Sequence, residues 1–350
     1  MKHNNALLAI EALQRSPWRT RKPSSGILHF VPALLDHVSH GMCGNKSLQE
    51  HLANLSALVS PNLGRGRHAL ISAHWESKQE RSRVRELFPD MVIGTFLPKG
   101  GDDCYFRTGY TTNWDVRTRW PNETYDGGGF RAVHESFDAS SLQASDVGLP
   151  RVDAPREYLL EFAGRCDRSK HFADRWKLLH AGGWQAERNR IFLISNSAPE
   201  LCELPACAPG EHTQCATPWT EVEQVRASSE FSLMLRGEDV TSDRLQNAVA
   251  MLAIPLVLSD VPVSWLPLRH AIPWDELLVR VDRASFERNA SEAVAAAIES
   301  LSPAERRARR HHLHHTRKDL LFGVRGSRAA ERLLQSMALE PAAHCGSGGV

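Results

Sequence analysis

Between Tyr158 and Asp260 short, nearly unbroken apolar runs alternate with segments of helical length, and few folds accommodate that order. Tyr158-Leu159-Leu160-Glu161-Phe162-Ala163-Gly164, Ile191-Phe192-Leu193-Ile194, Phe231-Ser232-Leu233-Met234-Leu235 and the run from Ile254 to Asp260 read as strands. Phe172 to Leu179, Glu221 to Ser228 and Ser242 to Leu252 read as helices, and Glu200 to Pro218 as a Pro- and Cys-bearing insertion. A strand that is apolar on both faces needs cover on both, and intervening helices supply it, so the pattern predicts a parallel, doubly wound α/β sheet. Such a sheet binds ligands at the carboxyl ends of its strands.

The rest of the chain is less regular. Gly26 to Leu35 and His68 to Ser72 contain strand-like runs, His37 to Leu58 mixes turn and helix signals, and Lys99 to Gly148 reads as loop-rich. Ser291 to Phe322 is helical with a break at Ser302-Pro303, and Ala329 to Met337 closes the fold. With 350 residues there is room for two domains at ~100–200 residues each. We place them at 1–150 and 151–338, with 339–350 a disordered tail. The 42 Lys plus Arg nearly cancel the 41 Asp plus Glu, which gives no global reason to expect nucleic acid as a partner. No apolar run approaches the ~18–20 residues that cross a bilayer, so the chain reads as soluble and untargeted.

The stretch from Ser229 to Leu245 carries the most chemistry. A strand runs into Arg236-Gly237-Glu238-Asp239, then into a helix that opens with Thr241, Ser242 and Asp243 and continues to Arg244. Free amides at a helix start, with Arg236 and Arg244 beside them, suit a diphosphate, and Glu238 or Asp239 suits sugar hydroxyls. A capped helix with solvated charges accounts for the same residues.

Order and spacing separate the two, because the stretch resembles the donor-site signature of the exostosin-like glycosyltransferases. That family reads S-x-F-C-L-x-P-R-G-D, then S-x-R-L-x-D-A-I-x-x-G-C-I-P-V-I-x-S-D, then L-P-F and a downstream W. Here Ser229, Phe231, Leu233, Arg236 and Gly237 match the first block, with Ser232 for Cys, Leu235 for Pro and Glu238 for Asp. Ser242, Arg244, Leu245, Ala248, Ile254, Pro255, Val257, Ser259 and Asp260 match the second, with Asn247 for Asp and Leu252-Ala253 for Gly-Cys. Leu266-Pro267 and Trp274 complete it. Upstream, Phe162-Ala163-Gly164-Arg165 resembles the family's F-x-G-R block, Ser145 to Pro150 its linker, and Arg19 to Pro32 its T-x-x-P block, so the likeness spans about residues 18 to 280.

The resemblance implies a GT-B architecture, two Rossmann-like domains facing a cleft, with a nucleotide sugar on the C-terminal domain and a glycan acceptor on residues 1–150. It implies an inverting transferase acting on a glycan or glycoconjugate with a UDP-linked donor, and a family-type dimer. Donor-binding residues are then Arg165, Arg236, Gly237, Glu238, Ser242, Arg244 and Asn247, while Arg168 and Arg175 read as ordinary helix-face charges. His74 and His68 are the candidate catalytic bases, with Asp115 and Asp146 as runners-up. Arginines and a helix end carry the phosphate charge, so no metal is required.

Departures cluster in the acceptor half. Where the family has R-x-x-G-x-D-H and S-H-D-W, this chain has Gly64-Arg65-Gly66-Arg67-His68 and Ser72-Ala73-His74-Trp75, with Arg67 and His74 in the places of the two Asp residues. A catalytically silent subunit that binds glycan, nucleotide or a partner enzyme is the alternative reading. The family's N-terminal anchor and stem are missing, which reads as a shortened N-terminus, and the Golgi or secretory pathway stands beside the cytosol as the expected location. Sequons at Asn45, Asn54, Asn122 and Asn289 fit the former.

Other features weigh less. Gly41 to Ser47 ends like a phosphate loop, but its glycine spacing is too short. The basic run Arg306 to His315 reads as the solvated face of a helix. Trp114 and Trp120 are candidate sugar-stacking residues. Cys202, Cys207 and Cys215 lie close enough in one insertion for a local disulfide in an oxidising lumen.

Overall fold

A computed structural model of the chain describes residues 5–16, 28–31, 47–59, 67–71, 92–95, 105–107, 146, 148–184, 190–195, 199–204, 213–216, 222–237 and 243–339. Two compact units emerge: Met1–Ser145 with Pro267–Ile272 and Lys318–Val350, and Asp146–Leu266 with Pro273–Arg317. Among the described residues each contains one parallel sheet, so the α/β fold class is the one the sequence implies.

In the first unit, β1 (Leu28–Val31), β2 (Arg67–Ile71), β3 (Val92–Thr95) and β4 (Tyr105–Arg107) lie side by side in chain order. Helix α1 (Asn5–Gln14) precedes β1, and α2 (Leu48–Val59) joins β1 to β2. A capping box starts α2: the Glu50 amide donates to Ser47 Oγ at 3.3 Å and the Ser47 amide donates to the Glu50 carboxylate at 2.7 Å. β4 falls inside the segment read as loop-rich, because three residues are too few to show a period of two; apart from Asp146 and Gly148, the remainder of that segment lies outside the described residues.

The second unit follows the predicted alternation closely. Its strands are β5 (Tyr158–Gly164), β6 (Ile191–Ser195), β7 (Thr213–Ala216), β8 (Ser229–Met234), β9 (Ile254–Leu258) and β10 (Val279–Val281). Helices α3 (Ala173–His180), α4 (Pro199–Cys202), α5 (Val222–Ala227) and α6 (Asp243–Met251) connect the first five strands. Then come α7 (Trp274–Leu277), α8 (Arg283–Arg288), α9 (Ala290–Glu299) and α10 (Pro303–Leu320), while α11 (Ala329–Leu339) packs on α1 in the first unit. The insertion read at Glu200 to Pro218 instead contributes the end of α4 and the edge strand β7, whose Thr-Gln-Cys-Ala is too short and polar to read as a strand.

Across the sheet the order is β7-β6-β5-β8-β9-β10, all parallel, which is third-second-first-fourth-fifth-sixth in this unit's own succession. The order therefore reverses between β5 and β8. Leu160, Phe162 and Ala163 of β5 and Ile254 and Leu256 of β9 have no exposure, and burying each large aliphatic contributes about 1.5–3 kcal/mol.

One charged cluster sits within this apolar sheet. Arg226 of α5 donates from Nε to Glu161 Oε1 of β5 at 2.8 Å, and Ser232 of β8 donates to the same oxygen, all three side chains being buried. Elsewhere arginines cap helix ends. Arg156 donates to the carbonyls of Ala227, Met251 and Leu252 that close α5 and α6. Burial and the like charge of Arg310 pull its pKa down to about 10. Arg306 donates to Ile298 and Leu301 at the end of α9, and Arg309 to Glu276 and Leu278 at the end of α7. The basic run is thus only partly a solvated face: Arg307, His311, His312 and His315 are exposed, whereas Arg306, Arg309 and Arg310 turn inward, the last onto Glu230 at 3.0 Å.

Leu252, where the family pattern has Gly, closes α6 with φ of 55°, a left-handed conformation that costs an L-residue about 1–2 kcal/mol. Its side chain has no exposure, and that burial offsets the strain.

Candidate functional site

Where strand order reverses in a parallel sheet, the loops after the two central strands splay to opposite faces and leave a crevice at their carboxyl ends. In this unit those loops begin at Arg165, after β5, and at Leu235-Arg236-Gly237, after β8. Arg165, Arg236, Gly237 and Arg244 all gather here.

Arg165 projects a side chain that is 56 % exposed, with Nε 3.4 Å from Asp167. Burial works to raise the Asp167 carboxyl, but hydrogen bonds from Ser169 and the charges of Arg165 and Arg175 outweigh it and hold the group below its ordinary value. Arg236 is half-buried, its guanidinium 5.8 Å from the Trp265 ring, and its Nε is buried without a hydrogen-bond partner among the described residues. A buried donor of this kind, on the loop after β8, is a group that an anion satisfies.

Arg244, second residue of α6, is only 6 % exposed. Nη1 donates to the Ala163 carbonyl at 3.4 Å, and the guanidinium lies 5.6 Å from the Phe162 ring. Its charge therefore acts from beneath the crevice. Asn247, one turn further along α6, is 2 % exposed. Glu238 and Ser242 lie outside the described residues.

Two clusters here escaped the sequence reading. Arg175 of α3 is 4 % exposed rather than a helix-face charge. It donates from Nε to the Arg236 carbonyl at 2.7 Å and from Nη1 to the Arg165 carbonyl at 2.9 Å, over the Phe172 ring at 4.7 Å. The available signal was Gly237, since a glycine after Arg236 marks a close approach. Arg283, opening α8, pairs with Asp174 of α3 at 2.8 Å and lies 4.0 Å from Asp260, just beyond β9. Burial opposes the Arg283 charge, but the two carboxylates outweigh it and raise its pKa. Arg168 is exposed and pairs with Glu203.

Cys166, next to Arg165, forms a disulfide with Cys202 of α4. The bond thus leaves the insertion to which the sequence reading confined it, and ties the loop after β5 to α4. A cavity of about 950 Å³ in this unit is lined by Leu159, Leu160, Ile191, Trp184, Asn289 and Ser291 among others, which places it at the amino ends of β5 and β6, away from the crevice.

In the first unit, His68 is the second residue of β2 and 5 % exposed, stacked on His29 of β1 with centroids 4.8 Å apart. His74, Asp115, Trp114 and Trp120 lie outside the described residues. Asp146 opens the second unit, where its charge acts on Arg317.

Residues 117–296, just over half of the chain, match the Exostosin GT47 domain, a span that takes in every strand from β5 to β10. No curated protein matches. Among solved structures, the chain is similar to one in the GtfA/B complex at 14% identity, covering 84% of this chain and 61% of that one, with a TM-score of 0.40. It is similar to T4 phage BGT in complex with UDP and Mn2+ at 12% identity, covering 77% and 82%, with a TM-score of 0.33. WaaG, a glycosyltransferase involved in lipopolysaccharide biosynthesis, matches at 12% identity over 92% of this chain and 100% of that one, with a TM-score of 0.33. The chain spans less than two thirds of the length of the first of these. With its domain match covering the sheet that builds the crevice, the chain belongs to the exostosin GT47 family.

Proposed function

We propose that this chain is an inverting glycosyltransferase that moves a sugar from a nucleotide-sugar donor, UDP-linked, to a glycan or glycoconjugate acceptor. The observation that carries the reading is the convergence of Arg165, Arg236 and Arg244 at the strand-order reversal, beside the amino end of α6. In the reaction, an acceptor hydroxyl attacks the anomeric carbon, its proton passes to a base, and the bond to the diphosphate breaks with its electron pair. Arg165 and Arg236 then meet the charge that develops on the diphosphate, with Arg244 contributing from beneath. The reading requires no metal. Of the two candidate bases, strand direction favours His74, which follows the carboxyl end of β2, over His68, which is shut into its amino-terminal half. Glu238, Ser242 and Asn247 would complete the donor side.

A thermal-shift screen against a panel of nucleotide sugars tests this, because only a ligand that binds the folded state raises the melting temperature. Arg236→Ala should weaken nucleotide diphosphate binding by about 1.5–3 kcal/mol, the range for a hydrogen bond to a charged group. A panel in which nothing shifts the transition sinks the proposal. Arg67 and His74, standing where the family has Asp, favour a second reading as a catalytically silent subunit. Donor binding with neither transfer nor donor hydrolysis would establish it.

The Cys166–Cys202 disulfide supports residence in an oxidising lumen, and so the Golgi or secretory pathway over the cytosol. Among the described residues no helix is long and apolar enough to cross a membrane. A family-type dimer is testable by sedimentation.

A further inference from the structure

Two motif glycines of the second unit each accommodate an arginine that arrives from the other side of the strand-order reversal. Gly164 closes β5, and a side chain there would meet Nη1 of Arg244 at 3.0 Å. That arginine comes from α6, the helix following β8. Gly237 follows β8, and a side chain there would meet Cζ of Arg175 at 3.0 Å, with Nη2 closer still. Arg175 comes from α3, the helix following β5. Each central strand therefore sends its helix's arginine across to the end of the other.

We propose that Arg175 is a positioning residue of the donor site: by bonding the Arg165 and Arg236 carbonyls together, it sets the spacing and aim of the two cations that would hold the diphosphate. The proposal rests on reading the crevice as a nucleotide-sugar site. Its two bonds go to main-chain oxygens of different loops, at 2.9 and 2.7 Å. Both N–H directions belong to one planar fork, so the two loops are held in a fixed relation that a lysine's point charge cannot reproduce. At 4 % exposure Arg175 is itself covered, with the Phe172 ring 4.7 Å away on one contact and the Gly237 main chain on another. Arg165 lies 5.3 Å from the same ring, so the exposed cation and the buried strut share one aromatic support. The glycine of the Arg236-Gly237 pair then has a physical reason: it is the vacancy that admits the strut.

Calorimetric titration of the full chain with UDP, and with GDP in parallel, tests the idea through coupling. Arg175→Lys should weaken binding roughly tenfold or more, as expected for lost hydrogen bonds to a charged group. Gly237→Ala, which evicts the guanidinium without removing it, should do the same, and serves if Arg175→Lys does not fold. In either background Arg165→Ala should add less than about twofold, although alone it weakens binding strongly, because a cation already misplaced has little left to lose. A merely structural Arg175 would lower the melting temperature while leaving the Arg165→Ala effect at full size. Such additivity, or unchanged UDP affinity in Arg175→Lys, overturns the proposal while the donor-site reading stands. Failure of the unaltered protein to bind either nucleotide overturns the donor-site reading, and this proposal with it.

Discussion

Removing the Glu161 carboxylate should unfold the second unit at much lower denaturant concentration, by an amount the burial of its partner sets. Glu161 and Arg226 have side chains 1% and 2% exposed with a 2.8 Å contact, so neither charge has water to fall back on. At an effective dielectric of about 20 their mutual attraction is roughly 6 kcal/mol. Desolvating both ions cancels much of that, and the intact pair adds little net stability. The truncated pair is another matter: Glu161→Ala leaves a buried guanidinium beside a Ser232 hydroxyl, at a cost of about 3–5 kcal/mol. For a unit of this size that corresponds to a fall in melting temperature of roughly 6–20 °C. Urea denaturation followed by circular dichroism measures it. The double variant Glu161→Leu with Arg226→Met should regain most of the loss, since it removes both charges. A Glu161→Ala loss below about 1 kcal/mol, or a double variant no better than the single, would refute this account of the cluster.

Non-reducing peptide mapping should recover Cys166 joined to Cys202, and Cys202→Ser should cost about 4 kcal/mol from the loop the bond closes, at a sequence separation of 36; an equal stability with and without reductant would contradict it. Asn289 should carry no glycan in a secreted preparation, because its carboxamide oxygen accepts from the Glu292 amide as the cap of α9 and its amide nitrogen donates to the Glu292 carboxylate; site-resolved mass spectrometry decides it. The Asp282 carboxyl, held below its ordinary value by the hydrogen bonds from Ser285, supports α8 above the carboxylate range and loses that support as pH falls through its depressed value. Amide protection, corrected for the intrinsic base catalysis of exchange, should then fall at the start of α8 on acidification and not on alkalinisation. Leu252→Gly should relieve a left-handed residue but empty a buried site, for a net loss of about 1–3 kcal/mol in urea denaturation.

The second unit was legible because its strands are buried on both faces and so carry an unbroken apolar signature from one turn to the next. β5 is observed with the predicted bounds, and β6 and β9 within two residues of theirs. β7 and β10 escaped because edge strands of three or four residues carry neither a period nor a run: Val279-Arg280-Val281 alternates only once. The site split along the same line. Arg165, Arg236 and Arg244 stand in motifs whose order the sequence displays, whereas Arg175 and Arg283 act through main-chain carbonyls and distant carboxylates, relations that no linear spacing records. Likewise the basic run from Arg306 gives no sign in its composition that three of its arginines turn inward.

Those inward arginines bear on how a ligand is reached. In strand–helix–strand succession, α5, α6 and α7 end near the amino ends of the strands that follow, where Arg156 and Arg309 sit on the last carbonyls. The carbonyl ends of these helices are thus closed by fixed cations, while acids stand at the amino ends, Asp243 in α6 and Asp275 and Glu276 in α7, so the positive charge left at the crevice is that of the Arg165 and Arg236 side chains. The chain's formal net charge is only +1, yet an approaching polyanion would feel a directed field rather than a neutral body. Its capture rate should therefore fall as added salt shortens the screening length to about 8 Å and below, even though net charge alone predicts almost no dependence.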